Sequence, residues 1–323
     1  MYLPKKWFSN ISLFLILSIG LILCILSENL FLIWIALELN MFGVIPLICN
    51  RNEKKRKETR VPFYYFFVQV VGRLCFFVGR SLGYYWFGAV GLLIKLGLPP
   101  FCQWVPPIIA RLDWFSIGLL RGVQKLPGVM LLRILFDVDR NICMFIGCLG
   151  LLFSGVGINT SFHKIKKLVG WSSVGNISLL FIILSFRKMI GLLFYIGYRL
   201  LIIFFCRLAR FSDSDQVTAY WYNFILLVFS GIPPLIGFIL KLCFFTNIVR
   251  LPLILKEGVF IGHFLDKWNF IILVILLLAL QKIGYLKRFI YIKSKMDNQL
   301  EIGRGINRYI IMWFFFIGII FIL

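Results

Sequence analysis

Stretches of about twenty apolar residues, the length a helix needs to cross a bilayer, follow one another along this 323-residue chain with short polar gaps between them. That pattern leaves few folds open. In lipid every backbone N–H and C=O must find its partner inside the protein, so each stretch is expected to be a helix. A soluble domain is excluded by composition: 61% of the residues are hydrophobic and only 15% charged, against roughly 25% charged in soluble domains. Mean hydropathy is +0.93. The fold class expected is an all-α polytopic membrane protein.

Eleven spans are expected, at 11–26, 30–49, 61–79, 84–111, 115–136, 141–159, 168–185, 189–206, 218–249, 268–286 and 309–323. They read as one transmembrane domain over 1–323, without a linker or low-complexity tract. Two of them, 84–111 and 218–249, are too long for one plain crossing, and each carries a Pro-Pro pair, Pro99-Pro100 and Pro233-Pro234. Proline removes a donor and frees a carbonyl, so each pair is expected to break its helix and to require partners from elsewhere in the protein.

The charge balance, 35 Lys+Arg against 13 Asp+Glu, would suggest nucleic acid in a soluble protein. Here the bases sit mainly in the gaps, as topology signals do, and no nucleic-acid partner is expected. Lys5, Lys6, the cluster at 51–60, Lys164, Lys166, Lys167 and the bases of 287–308 fall on one side of the alternating spans. The other side holds fewer: Arg80, Arg140, Arg187, Lys188, Arg250, Lys256 and Lys267. The bias turns the N-terminus toward cytoplasm or matrix, and an odd number of spans puts the C-terminus opposite. No small-residue cleavage site follows the first apolar run, so that helix is expected to stay. The eight cysteines form no CxxC pair, and the two histidines are His163 and His263. No zinc, iron–sulfur or bis-His haem framework is expected.

Charges inside the apolar runs ask for an explanation, because each costs about 3 kcal/mol at mid-bilayer on insertion scales. They are Glu38, Arg73, Lys95, Arg121, Lys125, Arg133, Arg199, Lys241 and Lys282. Glu38 is the one acid deep in a span. It reads either as a carboxylate paired across helices or as a proton carrier whose protonation is set by burial against a neighbouring cation. Lys95 precedes the break at Gly97-Leu98-Pro99-Pro100 and Lys241 follows the break at Gly231-Ile232-Pro233-Pro234. Two broken helices in corresponding places point to an inverted-repeat transporter, with repeats over about 11–136 and 141–286. In antiparallel spans the two lysines lie on the same side of their kinks. The competing reading is a pair of snorkelling lysines. Lys125 lies in Gln124-Lys125-Leu126-Pro127-Gly128, another kink, with Arg121 one turn earlier on what would be the same stripe. Arginine keeps its proton, so Arg73 and Arg121 are expected to tune neighbours and not to relay. Lys282, near the end of its expected span, is expected to snorkel.

Five motifs occur in order: Ala36-Leu37-Glu38-Leu39-Asn40-Met41; Leu93-Ile94-Lys95-Leu96-Gly97 with Pro100-Phe101-x-x-Trp104-x-Pro106; Gln124-Lys125-x-Pro127; Trp171-Ser172-Ser173; and Gly231-x-Pro233-Pro234-x-x-Gly237-Phe238-x-x-Lys241. Over about residues 30 to 245 the chain resembles the antiporter-like (Mrp-type) membrane subunits of respiratory complex I, in the shortened eleven-helix mitochondrial form of the subunit-2 group. The resemblance implies two inverted five-helix repeats and a C-terminal helix. It implies Glu38 and Lys95 as a coupled acid–lysine pair, Lys125 as central relay and Lys241 as terminal lysine. The implied activity is proton translocation driven by quinone reduction elsewhere in the complex.

No cofactor would sit in this chain, with NADH, FMN, iron–sulfur clusters and ubiquinone bound by other subunits. Partners would be the other membrane-arm subunits, neighbouring antiporter-like subunits among them, and the lipid bilayer. The location would be the mitochondrial inner membrane, with the N-terminus in the matrix and the C-terminus in the intermembrane space. The chain departs from the pattern at Cys102 and Asn176, where the family usually has His, and at Pro107, where it often has Glu. A stand-alone cation/proton antiporter of the same superfamily is the alternative, and a purely structural subunit the bland one.

Overall fold

The computed structural model describes residues 3–53, 60–135, 140–186, 188–211, 231, 237, 241 and 267–297, and the described residues are helical apart from short turns. Three long helices come first: α1 (Leu3–Leu26), α2 (Leu30–Glu53) and α3 (Arg60–Ser81). Two interrupted crossings follow. The first is α4 (Tyr85–Leu96) and α5 (Val105–Arg111), the second α6 (Trp114–Gly122) and α7 (Lys125–Leu135). Then come α8 (Arg140–Thr160), α9 (Ile165–Phe186), α10 (Lys188–Phe211) and α11 (Lys267–Asp297). These helices coincide with the expected spans up to 206 and at 268–286. The expected spans at 218–249, with Pro233 and Pro234, and at 309–323 lie outside the described residues, apart from Gly231, Gly237 and Lys241. Among the described residues five helices are long and apolar enough to cross a membrane, in α2, α3, α8, α9 and α11.

Helices pack in chain-neighbour pairs, α1 on α2, α3 on α4 and α8 on α9, and α11 closes on α8. Across lipid there is no hydrophobic drive between helices, so close approach of small residues carries the packing. Gly20 brings α1 onto the backbone of α2 at Ala36 and Asn40, and Gly91 meets Gly72 and Phe76 where α4 crosses α3. The outside is apolar, with Phe63, Leu193, Leu200 and Ile290 exposed. On α10 the stripe Leu193, Ile196, Leu200 and Phe204 faces out while Arg199 is buried. Lipid on that face and polar groups within suit a membrane span.

The break after α4 ends the helix as the Gly-x-Pro-Pro sequence implies. Gly97 takes the left-handed conformation, φ +70°, which glycine adopts without the Cβ penalty that other residues meet. Pro99 and Pro100 follow, joined by a cis peptide bond. Pro106 and Pro107 then stand in the first turn of α5, where a missing N–H leaves no gap.

Candidate functional site: buried charges at a helix break and beside a second left-handed glycine

The last turn of α4 has carbonyls that no helical N–H can reach. Each is met from elsewhere. Leu98 N donates to Leu93 O at 3.0 Å, and Ile94 O accepts from Gly97 N at 3.2 Å and from Trp104 Nε1 at 3.1 Å. Gln69 Nε2 of α3 donates to Lys95 O at 3.3 Å. Lys125 Nζ donates to Leu96 O at 3.3 Å. The break is thus stitched by three other parts of the chain, and one stitch is the central lysine.

Lys125 is the first residue of α7, at the positive end of that helix. Its ammonium reaches across to the carbonyl end of α4, where the helix dipole favours a cation. Gly128, one turn on, allows the approach: a Cβ there would stand 2.8 Å from Leu96 Cδ2. Lys125 is buried at 8% exposure, within electrostatic reach of Arg121 and Arg199.

Arg121 and Lys125 do not share the helical stripe that their spacing predicts. Pro127 has no N–H to continue the ladder, and the chain turns at Val123 and Gln124, with Leu126 N bonded to Val123 O at 3.2 Å. Arg121 instead ends α6 and donates from Nη2 to the Tyr198 hydroxyl of α10 at 3.0 Å.

Glu38 lies on α2, and its partner is Arg73 of α3, with Nη1 to Oε2 at 2.5 Å. The resemblance implies Glu38 and Lys95 as a coupled pair; in the structure the contact partner of Glu38 is Arg73, and Glu38 acts on Lys95 electrostatically. Arg73 side chain is 2% exposed and that of Glu38 24%. Arg73 also donates to Leu37 O at 3.4 Å and to Gln69 O at 3.3 Å. Gln69 in turn donates to Lys95 O, so hydrogen bonds link Glu38 through Arg73 and Gln69 to the backbone of Lys95. Glu38, Arg73 and Cys24 all act electrostatically on Lys95, which is buried at 6% exposure near the end of α4. An arginine on a different helix carries no sequence signal of this pairing.

In the second Gly-x-Pro-Pro sequence Gly231 repeats the conformation of Gly97, with φ +71°. The Lys241 side chain lies over it: a Cβ on Gly231 would stand 2.8 Å from Lys241 Cδ and 3.1 Å from Nζ. Lys241 is buried, at 7% exposure, and Lys282 of α11 acts on it electrostatically. Lys282 was expected to snorkel from a helix end. It is half-buried on α11, which continues to Asp297, past the expected span end at 286. Cys102 is buried in the turn after the first break, and Asn176 donates back to Ser172 O of its own helix at 2.8 Å.

Comparison with known proteins agrees with this architecture. Residues 81–265, more than half of the chain, match the family model described as NADH:quinone oxidoreductase/Mrp antiporter, TM. The NADH-ubiquinone oxidoreductase chain 2 of Dasypus novemcinctus is 25% identical over 254 residues, covering 69% of this chain and 72% of that one. The chain of the same name from Anopheles gambiae is 25% identical over 278 residues, covering 76% and 79%. Among solved structures, a chain of respiratory complex I from Thermus thermophilus aligns with a TM-score of 0.68 at 16% identity, covering 85% of this chain and 68% of that one. A chain of the Mrp complex from Dietzia sp. DQ12-45-1b aligns with a TM-score of 0.67 at 13% identity, covering 86% and 59%. The chain belongs to the family of transmembrane subunits shared by NADH:quinone oxidoreductases and Mrp antiporters.

Proposed function

We propose that this chain is a membrane-arm subunit of an NADH:ubiquinone oxidoreductase and translocates protons through Glu38, Lys95, Lys125 and Lys241. The observation that carries the reading is the placing of three buried lysines: Lys95 and Lys125 at the helix break after Leu96, and Lys241 against the left-handed Gly231. A packing role would not require so many charges, each costing about 3 kcal/mol at mid-membrane. Lysine suits a relay because it can lose its proton within the protein, whereas arginine holds on to it.

In this mechanism Glu38 is the movable counter-charge. It binds Arg73 in the structure. A shift from Arg73 toward Lys95 holds a proton on Lys95, and return to Arg73 releases it toward Lys125. Lys125 passes it on toward Lys241 and the exit, with water bridging distances that side chains cannot span. Arg73, by competing for the carboxylate, makes the exchange two-state. The whole works as a transporter of two inverted repeats, about 11–136 and 141–286, with the broken helices at corresponding places.

The redox groups, NADH, FMN, iron–sulfur clusters and ubiquinone, belong in this reading to other subunits, and this chain supplies the proton path alone. Its neighbours are other membrane-arm subunits and lipid. The mitochondrial inner membrane is the location, supported by the similarity to chain 2 proteins. The charge bias of the gaps supports an N-terminus in the matrix and a C-terminus in the intermembrane space. A cation/proton antiporter is the second reading, favoured by the likeness to the Mrp complex.

Assembly separates the two. On a blue-native gel stained for NADH dehydrogenase, this chain is expected in the large active band. Migration in a small inactive assembly, with sodium or potassium exchanged for protons, would establish the antiporter instead.

A further inference from the structure

Where α6, α7 and α10 meet, the interior holds three positive charges together. Arg121 is 3% exposed, and Lys125 and Arg199 are each 8% exposed. None of the three is paired with an acid among the described residues, in contrast to Arg73, which is buried likewise and bonded to Glu38. The packing of α6 on α10 sets their register. A Cβ on Gly118 would stand 3.4 Å from Cys206 Cβ, and one on Gly122 3.8 Å from Ile203 Cγ1. Rising numbers along α6 thus meet falling numbers along α10, and continuing that register past Gly122 brings Lys125 level with Arg199. Arg121 reaches the same level, since its Nη2 donates at 3.0 Å to the hydroxyl of Tyr198, the residue next to Arg199. Both arginines act electrostatically on Lys125.

The protein does not satisfy the two guanidiniums. Nε and Nη1 of Arg121 and Nε and Nη2 of Arg199 are buried without a hydrogen-bond partner. Arg199 stacks over the Tyr195 ring, 4.5 Å from its centroid, which fixes the plane of the guanidinium but offers its N–H groups no acceptor. A buried N–H needs an acceptor, and a buried charge needs a counter-charge. Lysine can answer by losing its proton; arginine cannot. Water would meet the hydrogen bonds and leave the charge, whereas an anion meets both. The face of α10 narrows the source. Leu193, Ile196, Leu200 and Phe204 form its exposed stripe, and Arg199 is buried behind them. A carboxylate from a neighbouring subunit would have to cross that apolar face. A small inorganic anion needs only the water-bridged route that the proton takes.

We propose that Arg121 and Arg199 hold a small inorganic anion of the chloride class beside Lys125, and that this anion is the counter-charge against which Lys125 holds its proton. With the anion in place, its attraction opposes the repulsion from the two arginines, and the ammonium of Lys125 can donate to Leu96 O as the structure shows. Without it, two fixed positive charges act on the lysine unopposed and favour its neutral form. The site itself stands on the unpartnered guanidinium donors. Its effect on pumping rests on the proton-translocating reading above and adds an anion requirement to it.

The test uses the assembled complex, with bromide as the probe because it replaces chloride and scatters anomalously. In crystals of the complex grown in bromide, an anomalous peak is expected within hydrogen-bonding reach of both Arg121 and Arg199, and no peak in Arg199→Gln. In vesicles with gluconate, too large for the site, holding ionic strength constant on both sides, the rate of proton translocation per complex is expected to rise with bromide or chloride to a plateau. The rise should be about tenfold or more, because one unit charge a few ångströms from an ionisable group shifts its proton occupancy by at least that factor. Arg121→Gln and Arg199→Gln should flatten the halide dependence. Absence of bromide at the two arginines overturns the site, and that result does not depend on the variants assembling. Bromide bound there with pumping indifferent to halide overturns its role as counter-charge to Lys125. Undiminished pumping in Lys125→Ala contradicts the proton-translocating reading instead, and leaves the bromide peak as a separate result.

Discussion

Arg73 and Glu38 form a contact ion pair, Nη1 to Oε2 at 2.5 Å, in which the arginine is almost wholly buried and the carboxylate keeps an open edge. The asymmetry decides what each partner's loss should do. Removing Glu38 strands a buried guanidinium, and breaking a buried pair costs about 3–5 kcal/mol. Removing Arg73 leaves a carboxylate that can take up a proton and become neutral, as a guanidinium cannot, at less cost. Glu38→Gln should therefore lower the amount of assembled complex more than Arg73→Gln. The double variant should recover part of what Glu38→Gln loses. Native-gel quantification in a double-mutant cycle measures this, and strictly additive losses would show that the two residues are not coupled.

Gly128 lets α7 approach the end of α4. A valine there places Cβ 2.8 Å from Leu96 Cδ2 and overpacks the contact by about 1–3 kcal/mol. The helices should separate, taking Lys125 away from Leu96 O, and coupled activity should fall further than assembly does. Activity per assembled complex is the measurement, and an undiminished value would show that the Lys125–Leu96 contact is dispensable.

Gly231 should tolerate no side chain. Alanine at φ +71° meets a left-handed penalty of about 1–2 kcal/mol, and its Cβ would press on the Lys241 stem. Gly231→Ala is expected to lower both assembly and pumping. Gly83, also left-handed at φ +77° but with open space around it, carries the backbone penalty alone. Gly83→Ala should lower assembly slightly and leave pumping per complex intact. Equal pumping defects in the two would mean that backbone strain, and not the Lys241 contact, is responsible.

Trp104→Phe removes the indole N–H that meets Ile94 O. That carbonyl keeps the Gly97 N–H, so the cost should be about 1 kcal/mol, the net worth of one hydrogen bond. A small fall in thermal stability of the complex with pumping retained is expected. Abolished assembly would show that Trp104 does more than stitch the break.

The break at Gly97-Leu98-Pro99-Pro100 and the isolated charges Glu38, Lys95 and Lys125 were legible because each violates a local rule, a proline in a helix or a charge in an apolar run. Arg73 as the partner of Glu38 was not, because pairing across α2 and α3 is a tertiary fact and a lone arginine carries no address. The end of the helix carrying Lys282 was read early: basic residues after Leu286 suggested a span end, yet α11 runs on to Asp297. The stripe joining Arg121 to Lys125 failed because the chain turns at Val123 and Gln124, between α6 and α7, where the spacing presumes a continuous helix. Tyr198 and Ser172 left no mark, since serine and tyrosine are ordinary inside apolar spans and only packing brings their oxygens together.

The most direct test of the account is Lys125→Arg compared with Lys125→Ala in vesicles, reading NADH-driven quinone reduction and protons moved per electron together. Arginine keeps the positive charge at the end of α4 but does not give up its proton. The account predicts near-normal assembly for Lys125→Arg, with pumping and coupled quinone reduction falling about as far as in Lys125→Ala. Wild-type stoichiometry and rate in Lys125→Arg would show that only the charge at this position matters, and would contradict a proton path through Lys125.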